Sequence, residues 1–147
     1  MFFFDLDGTL IDSNGIWKQV DHDFLARRGL PYSRAYFEGV AHTALKKLDI
    51  EKYFENVTFA QQAGMHKKAP DVWLAAAEKN GVRPEDCTVF DDSLAACWGA
   101  RAARMRVVGV HDSFFNKDEK EMRAFCDVYI DSFEELLYTP EQKVRRK

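Results

Sequence analysis

Two carboxylates, Asp5 and Asp7, follow the apolar run Met-Phe-Phe-Phe with one residue between them, and Gly8 and Thr9 come directly after. A second apolar run, Thr88-Val89-Phe90, also ends in paired acids, Asp91 and Asp92, with Ser93 next. Like charges held this close repel, and burying ionised carboxylates costs on the order of several kcal/mol unless a cation or hydrogen bonds compensate. Open α/β sheets place their ligands at the carboxyl ends of their strands. Acids at the ends of two apolar runs therefore point to a site that holds a divalent cation. Asp, Gly and Ser are also ordinary turn and capping residues, and Asp12 or Ser13 would serve equally as the cap of a following helix.

The stretch Asp5-Leu-Asp7-Gly8-Thr9-Leu10, with Asp12-Ser13 beyond it, resembles the first motif of the haloacid dehalogenase superfamily of phosphatases. Lys67, three residues before Pro70-Asp71, has the spacing of that family's third-motif lysine, and Asp91-Asp92 resembles its fourth motif. The resemblance implies that Asp5 is the nucleophile that forms an aspartyl phosphate and that Asp7 is the acid/base. Gly8 and Thr9 would hold the loop against substrate, and Lys67 would neutralise nucleophile and phosphate. It implies magnesium, held by Asp5, Asp92 and the backbone carbonyl of Asp7, with Asp91 acting through water. Those groups suit the ion, which keeps near-octahedral oxygen coordination and several waters. A carboxylate nucleophile splits hydrolysis into two easier steps, and the ammonium adds charge stabilisation as the phosphoryl group moves. The subgroup it looks most similar to contains phosphoglycolate phosphatases and β-phosphoglucomutases, so the expected substrate is a small phosphorylated metabolite.

The elements that must position these residues follow from periodicity. Strands are expected at 2–6, 56–60, 87–90, 106–110 and 127–130. Helices are expected at 14–28, 34–48, 71–79, 94–103, 117–125 and 133–138. Pro70 opens one helix, and Asn80-Gly81 closes it. Strands alternating with helices give an α/β fold with a doubly wound parallel sheet, a Rossmannoid core. Trp17, Trp73 and Trp98 lie on helical stripes and read as core, with Trp17 nearest the acidic loop. Of the four histidines, His66 and His111 are the two candidates for touching substrate. Lys68 reads as a solvated lysine.

With 147 residues, 46% hydrophobic content and a net charge of −3, the chain reads as a single domain over 1–147 with a real core and no basic field for nucleic acid. No stretch approaches the about 20 apolar residues of a membrane span. The first residues carry acids where a signal peptide would be apolar. Three cysteines, Cys87, Cys97 and Cys126, show no metal-ligand spacing and read as small buried residues of a reducing compartment. A cytoplasmic location is expected.

One part of the resemblance is missing. Such proteins usually insert a helical cap after the first motif and return to a second strand ending in a phosphate-binding Ser or Thr. Here residues 14–43 resemble only a remnant of that cap. Ser33, after Arg28-Gly-Leu-Pro-Tyr, is the candidate replacement for substrate binding, although Pro31 is ill suited to a central strand; Thr43 is a weaker one. A strand near Val57-Thr58-Phe59 would then pair with the first strand directly. A shortened cap loses its lid over the site, and its apolar helices would favour a homodimer. A non-catalytic binding or dimerisation module is the alternative to a working phosphatase.

Overall fold

The computed structural model describes residues 1–11, 43–58 and 65–137, together with residues 26, 27 and 39. Four strands form one parallel sheet in the order β1 (Phe2–Phe4), β2 (Thr88–Asp91), β3 (Arg106–Val110), β4 (Val128–Ile130). Phe4 registers with Phe90, Phe90 with Val108, and Val110 with Ile130. Helix α1 (Asp71–Lys79) precedes β2, α2 (Leu94–Ala102) joins β2 to β3, and α3 (Glu119–Phe125) joins β3 to β4. A last short helix, α4, covers Glu134–Leu137.

Residue alternation divides the core between two faces, as a strand period of two requires. Val89 and Val107 pack with Val72, Trp73 and Ala77 of α1, Leu94, Cys97 and Ala100 of α2, and Met122 of α3. Phe90, Val108, Val110 and Ile130 form the opposite cluster, closed by Val128 and Phe133. Phe4 stacks on Phe90 with centroids 4.6 Å apart and meets Phe54 and Phe133 edge-on or tilted. Such aromatic pairs are each worth about 1 kcal/mol beyond the area they bury. They brace the short β1 from beneath.

Both central helices stop on Schellman motifs. After α1, Gly81 takes φ 63°, its N–H donates to Glu78 O, and the Val82 N–H donates to Ala77 O. After α2 the same pattern runs through Arg104, a non-glycine at φ 64°, with Arg104 N bonded to Arg101 O and Met105 N to Ala100 O.

Three expectations need correction. Residues 56–58 are not a strand: Lys79 Nζ donates to the Val57 carbonyl at 3.1 Å and Asn56 bonds Asn80 at 2.9 Å, which ties the segment to the end of α1. Among the described residues β1 therefore pairs only with β2 and lies at the sheet edge. The helix expected from 117 begins at Glu119, after a 3-10 turn over Ser113–Asp118. Residues 43–47 are helical as expected. Ser33, Trp17 and nearly all of the expected cap remnant 14–43 lie outside the described residues. No described helix is long and apolar enough to cross a membrane.

Candidate active site

The parallel register decides which acids meet. Because Phe4 lies opposite Phe90, the residues that follow, Asp5 and Asp91, emerge side by side at the carboxyl ends of β1 and β2. The Asp5 N–H continues the ladder to Phe90 O at 2.9 Å. Asp5, Asp91 and Asp92 each present an oxygen, and these oxygens lie within 4.8 Å of one another. Asp91 is fully buried and Asp92 nearly so.

The loop after Asp5 turns back at once. Leu10 and Ile11 donate to Leu6 O at 3.0 and 2.9 Å, and Gly8 donates to Ile11 O at 2.7 Å. Gly8 has φ 84°, a left-handed conformation that disfavours any residue with a Cβ. The fold-back buries Thr9, whose hydroxyl donates to Asp92 Oδ1 at 2.9 Å. The first acidic segment thus holds the second in place. Asp7 stands on the exposed side of the loop and is bridged to Ile11.

Lys67 supplies the countercharge. Its Nζ bonds Asp5 Oδ1 and lies 3.0 Å from Asp91 Oδ2, while Asp91 Oδ1 accepts the Ser93 N–H at 3.0 Å. Burial pushes the Asp91 carboxyl up to about 7, against the downward pull of Lys67, with Asp5 adding to the rise. Burial works to lower the Lys67 ammonium, but Asp91 and Asp5 outweigh it and hold its proton more firmly than an ordinary lysine's. Both carboxylates thus favour the charged form of Lys67.

Three carboxylates face one ammonium, so the cluster carries excess negative charge when ionised. Every donor is oxygen, and the spacing suits one hard divalent ion. The residues present fit magnesium. Asp5, Asp91 and Asp92 are the carboxylates the structure brings together for it; the Asp7 carboxylate is not part of that cluster.

Trp73, read from the sequence as core and buried as expected, and Gly99, which sequence reasoning assigned no role, fix the Lys67 backbone. The Trp73 indole N–H donates to Lys67 O at 2.9 Å. Gly99, on α2, packs so closely that a Cβ there would fall 1.9 Å from Lys67 O and 2.9 Å from Ala69 O. The only sequence signal for the first is that a buried Trp needs an acceptor; a glycine inside a helix gives no partner's name. Lys68, the neighbour, is exposed above Trp98. His66 is also exposed. His111 lines a cleft of about 500 Å³ bounded by Thr9, Leu10, Asp112, Asp131 and Phe133. The cleft lies beside the acidic cluster, on the side of β3 and β4.

A model of the haloacid dehalogenase-like hydrolase family matches residues 37–110, half of the chain's 147 residues. The match takes in Lys67, Asp91 and Asp92 and begins beyond Asp5 and Asp7. The fructose-1-phosphate phosphatase YqaB of Escherichia coli is 36% identical over 84 residues, 57% of this chain and 45% of that protein. A phosphorylated carbohydrates phosphatase of Thermotoga maritima is 37% identical over 67 residues, 45% of this chain and 31% of that protein. The chain thus spans less than half the length of these curated relatives. Among solved structures, a haloacid dehalogenase-like protein of unknown function from Agrobacterium tumefaciens superposes with TM-score 0.63 at 17% identity, covering 92% of this chain and 95% of that one. A putative β-phosphoglucomutase from Thermotoga maritima superposes with TM-score 0.54 at 26% identity, covering 74% and 51%. With half its length matched and its acids, lysine and sheet arranged as described, the chain belongs to the haloacid dehalogenase-like hydrolase family.

Proposed function

We propose that the chain hydrolyses small phosphomonoesters with magnesium, through a phosphoryl group carried on Asp5, and that phosphorylated carbohydrates are the substrate class to test first. The observation that carries this reading is the convergence of Asp5, Asp91 and Asp92 with Lys67 at the ends of two paired strands. The relatives, whose printed names describe phosphatases of sugar phosphates, favour the substrate class.

In this mechanism a carboxylate oxygen of Asp5 attacks phosphorus while the bond to the ester oxygen breaks. Asp7, on the exposed side of the loop, gives the leaving oxygen a proton and then takes one from the water that releases phosphate from Asp5. Lys67 holds Asp5 in place and offsets charge on the transferring group. Thr9 keeps Asp92 turned toward the cluster. Magnesium, when bound, would supply positive charge between the anionic nucleophile and the anionic substrate.

Turnover of p-nitrophenyl phosphate and of a set of hexose phosphates, with and without magnesium, tests the reading. Activity is expected only with the metal, absent in Asp5→Asn and nearly absent in Asp7→Asn. Full turnover in Asp5→Asn would overturn it. The non-catalytic alternative, a binding or dimerisation module, predicts a magnesium-stabilised protein with no turnover. Under either reading we place the protein in the cytoplasm, as a homodimer associating through the 14–43 segment. A monomer by light scattering at micromolar concentration would remove that part.

A further inference from the structure

The parallel register acts a second time where β3 and β4 end. Val110 lies opposite Ile130, so His111 and Asp131 emerge side by side at the carboxyl ends of these strands. The His111 N–H continues the ladder to Ile130 O at 2.9 Å. A ring nitrogen of His111 and a carboxylate oxygen of Asp131 lie within 4.8 Å of each other. The Tyr129 hydroxyl meets His111 Nδ1 at 3.4 Å and steadies the ring. Both residues line the cleft of about 500 Å³ that the Gly8-Thr9-Leu10 loop also borders. Thr9 is shared, since its hydroxyl is bonded to Asp92 while the residue borders the cleft. The cleft therefore begins one hydrogen bond from the acidic cluster.

Resting on the phosphatase reading for the place of the phosphate at Asp5, we propose that this cleft holds the organic part of the phosphomonoester and selects an uncharged, hydroxyl-bearing one against one that carries a second anion. The lining holds three carboxylates, Asp112, Asp131 and Glu134, and no lysine or arginine among the described residues. Arg123 is bonded to Asp131 and offsets part of its charge, but it is drawn back from the cleft. Its Nε donates to Glu119 Oε1 at 2.7 Å, and its guanidinium lies 4.2 Å from the Tyr129 ring centre. Ser132 Oγ accepts the Glu134 N–H at 3.1 Å and holds the turn that carries Asp131 and Glu134.

Two physical terms then act in one direction. A hydroxyl donates to a carboxylate and accepts from an imidazole N–H at once, and the His111–Asp131 pair offers that combination. A second phosphate or a carboxylate on the ligand can only accept, and it meets like charge at close range. Leu10, Val110 and Phe133 supply apolar surface for the carbon chain, and the volume is that of a small-molecule site.

Three ligands of one skeleton test this: glycerol phosphate, phosphoglycerate, which ends in a carboxylate, and propyl phosphate, which lacks the hydroxyls. Turnover is measured on the full chain with magnesium. Dissociation constants are measured on Asp5→Asn, where no turnover intervenes, by following histidine ring signals in NMR titrations. Glycerol phosphate should exceed each of the others by about tenfold, in kcat/KM and in affinity. The His111 signal, identified by its loss in His111→Gln, should shift on binding. Asp131→Asn combined with Glu134→Gln should shrink the gap to phosphoglycerate severalfold. Glu85→Gln, an exposed acid in the turn before β2, should leave that gap unchanged. A gap near one in the parent, a gap that survives in the double variant, an unmoved His111 signal or no binding of glycerol phosphate would each overturn the proposal. Turnover with a gap near one removes the cleft's role and leaves the phosphatase reading. Absent turnover with the expected order of affinities and the His111 shift does the reverse.

Discussion

Asp92 and Thr9 are joined across 83 positions of sequence by one hydrogen bond, and that bond aims a nearly buried carboxylate at the cation site. A ligand that binds only the folded state raises its stability by mass action. Millimolar magnesium is therefore expected to raise the melting temperature, and Asp92→Ala to remove most of the shift. Differential scanning fluorimetry over a magnesium series reads both. Thr9→Val should weaken the shift without abolishing it, since it leaves all three carboxylates present. The residue scale is also where the sequence was most readable. Asp5, Lys67, Asp91 and Asp92 each sit beside a local marker, an apolar strand run or the Pro70 helix start, so their type and place could be read together. Trp73 and Gly99 act on Lys67 through space, and no local pattern says that α2 crosses the 67–69 turn.

At the scale of elements, the close crossing of α2 over that turn makes a sharp prediction. Gly99→Ala puts a methyl group where the Lys67 carbonyl oxygen is. Backbone, not a flexible side chain, must move. A loss of about 3 kcal/mol or more is expected from overpacking of this kind, measured as a shift in the urea midpoint. Any variant that still folds should lose turnover, because Lys67 moves with its carbonyl. The end of the same helix predicts the opposite sign. Arg104 holds a left-handed conformation without being glycine, a cost of roughly 1–2 kcal/mol for an L-residue. Its side chain is exposed, and its one ion pair among the described residues is a long 3.8 Å contact with Glu85. Arg104→Gly is expected to raise stability by about 1 kcal/mol in the same urea assay, with turnover unchanged. Helix and strand boundaries here were legible where propensity and packing agree, as in α1 between Pro70 and Gly81. They failed at 56–58, where apolar alternation suggests a strand but Lys79 and Asn80 claim the segment first. They also failed at 113–118, whose 3-10 turn has no periodic signature of its own.

For the whole molecule, the described residues make one sheet with acids at one end and a core cluster on each face, and that architecture was readable from the alternation of strands and helices. The segment after the first motif was not settled in the same way. Ser33 and the 14–43 stretch have no local pattern as strong as Asp-x-Asp-Gly-Thr, and Ser33 and nearly all of that stretch lie outside the described residues.

The edge position of β1 has a consequence for how the site breathes. Among the described residues the proposed nucleophile hangs from a three-residue strand bonded on one side only, whereas Asp91 ends a strand bonded on both. Local opening free energy is lowest where few ladder bonds must break. The Asp5 amide, bonded to Phe90 O, should therefore exchange its hydrogen faster than the Val108 and Gly109 amides of β3. A cation bridging Asp5 to Asp91 and Asp92 would act as a second neighbour for β1. Exchange at Asp5 should then slow on adding magnesium while β3 stays nearly constant, so the metal would complete the sheet's edge as well as the chemistry.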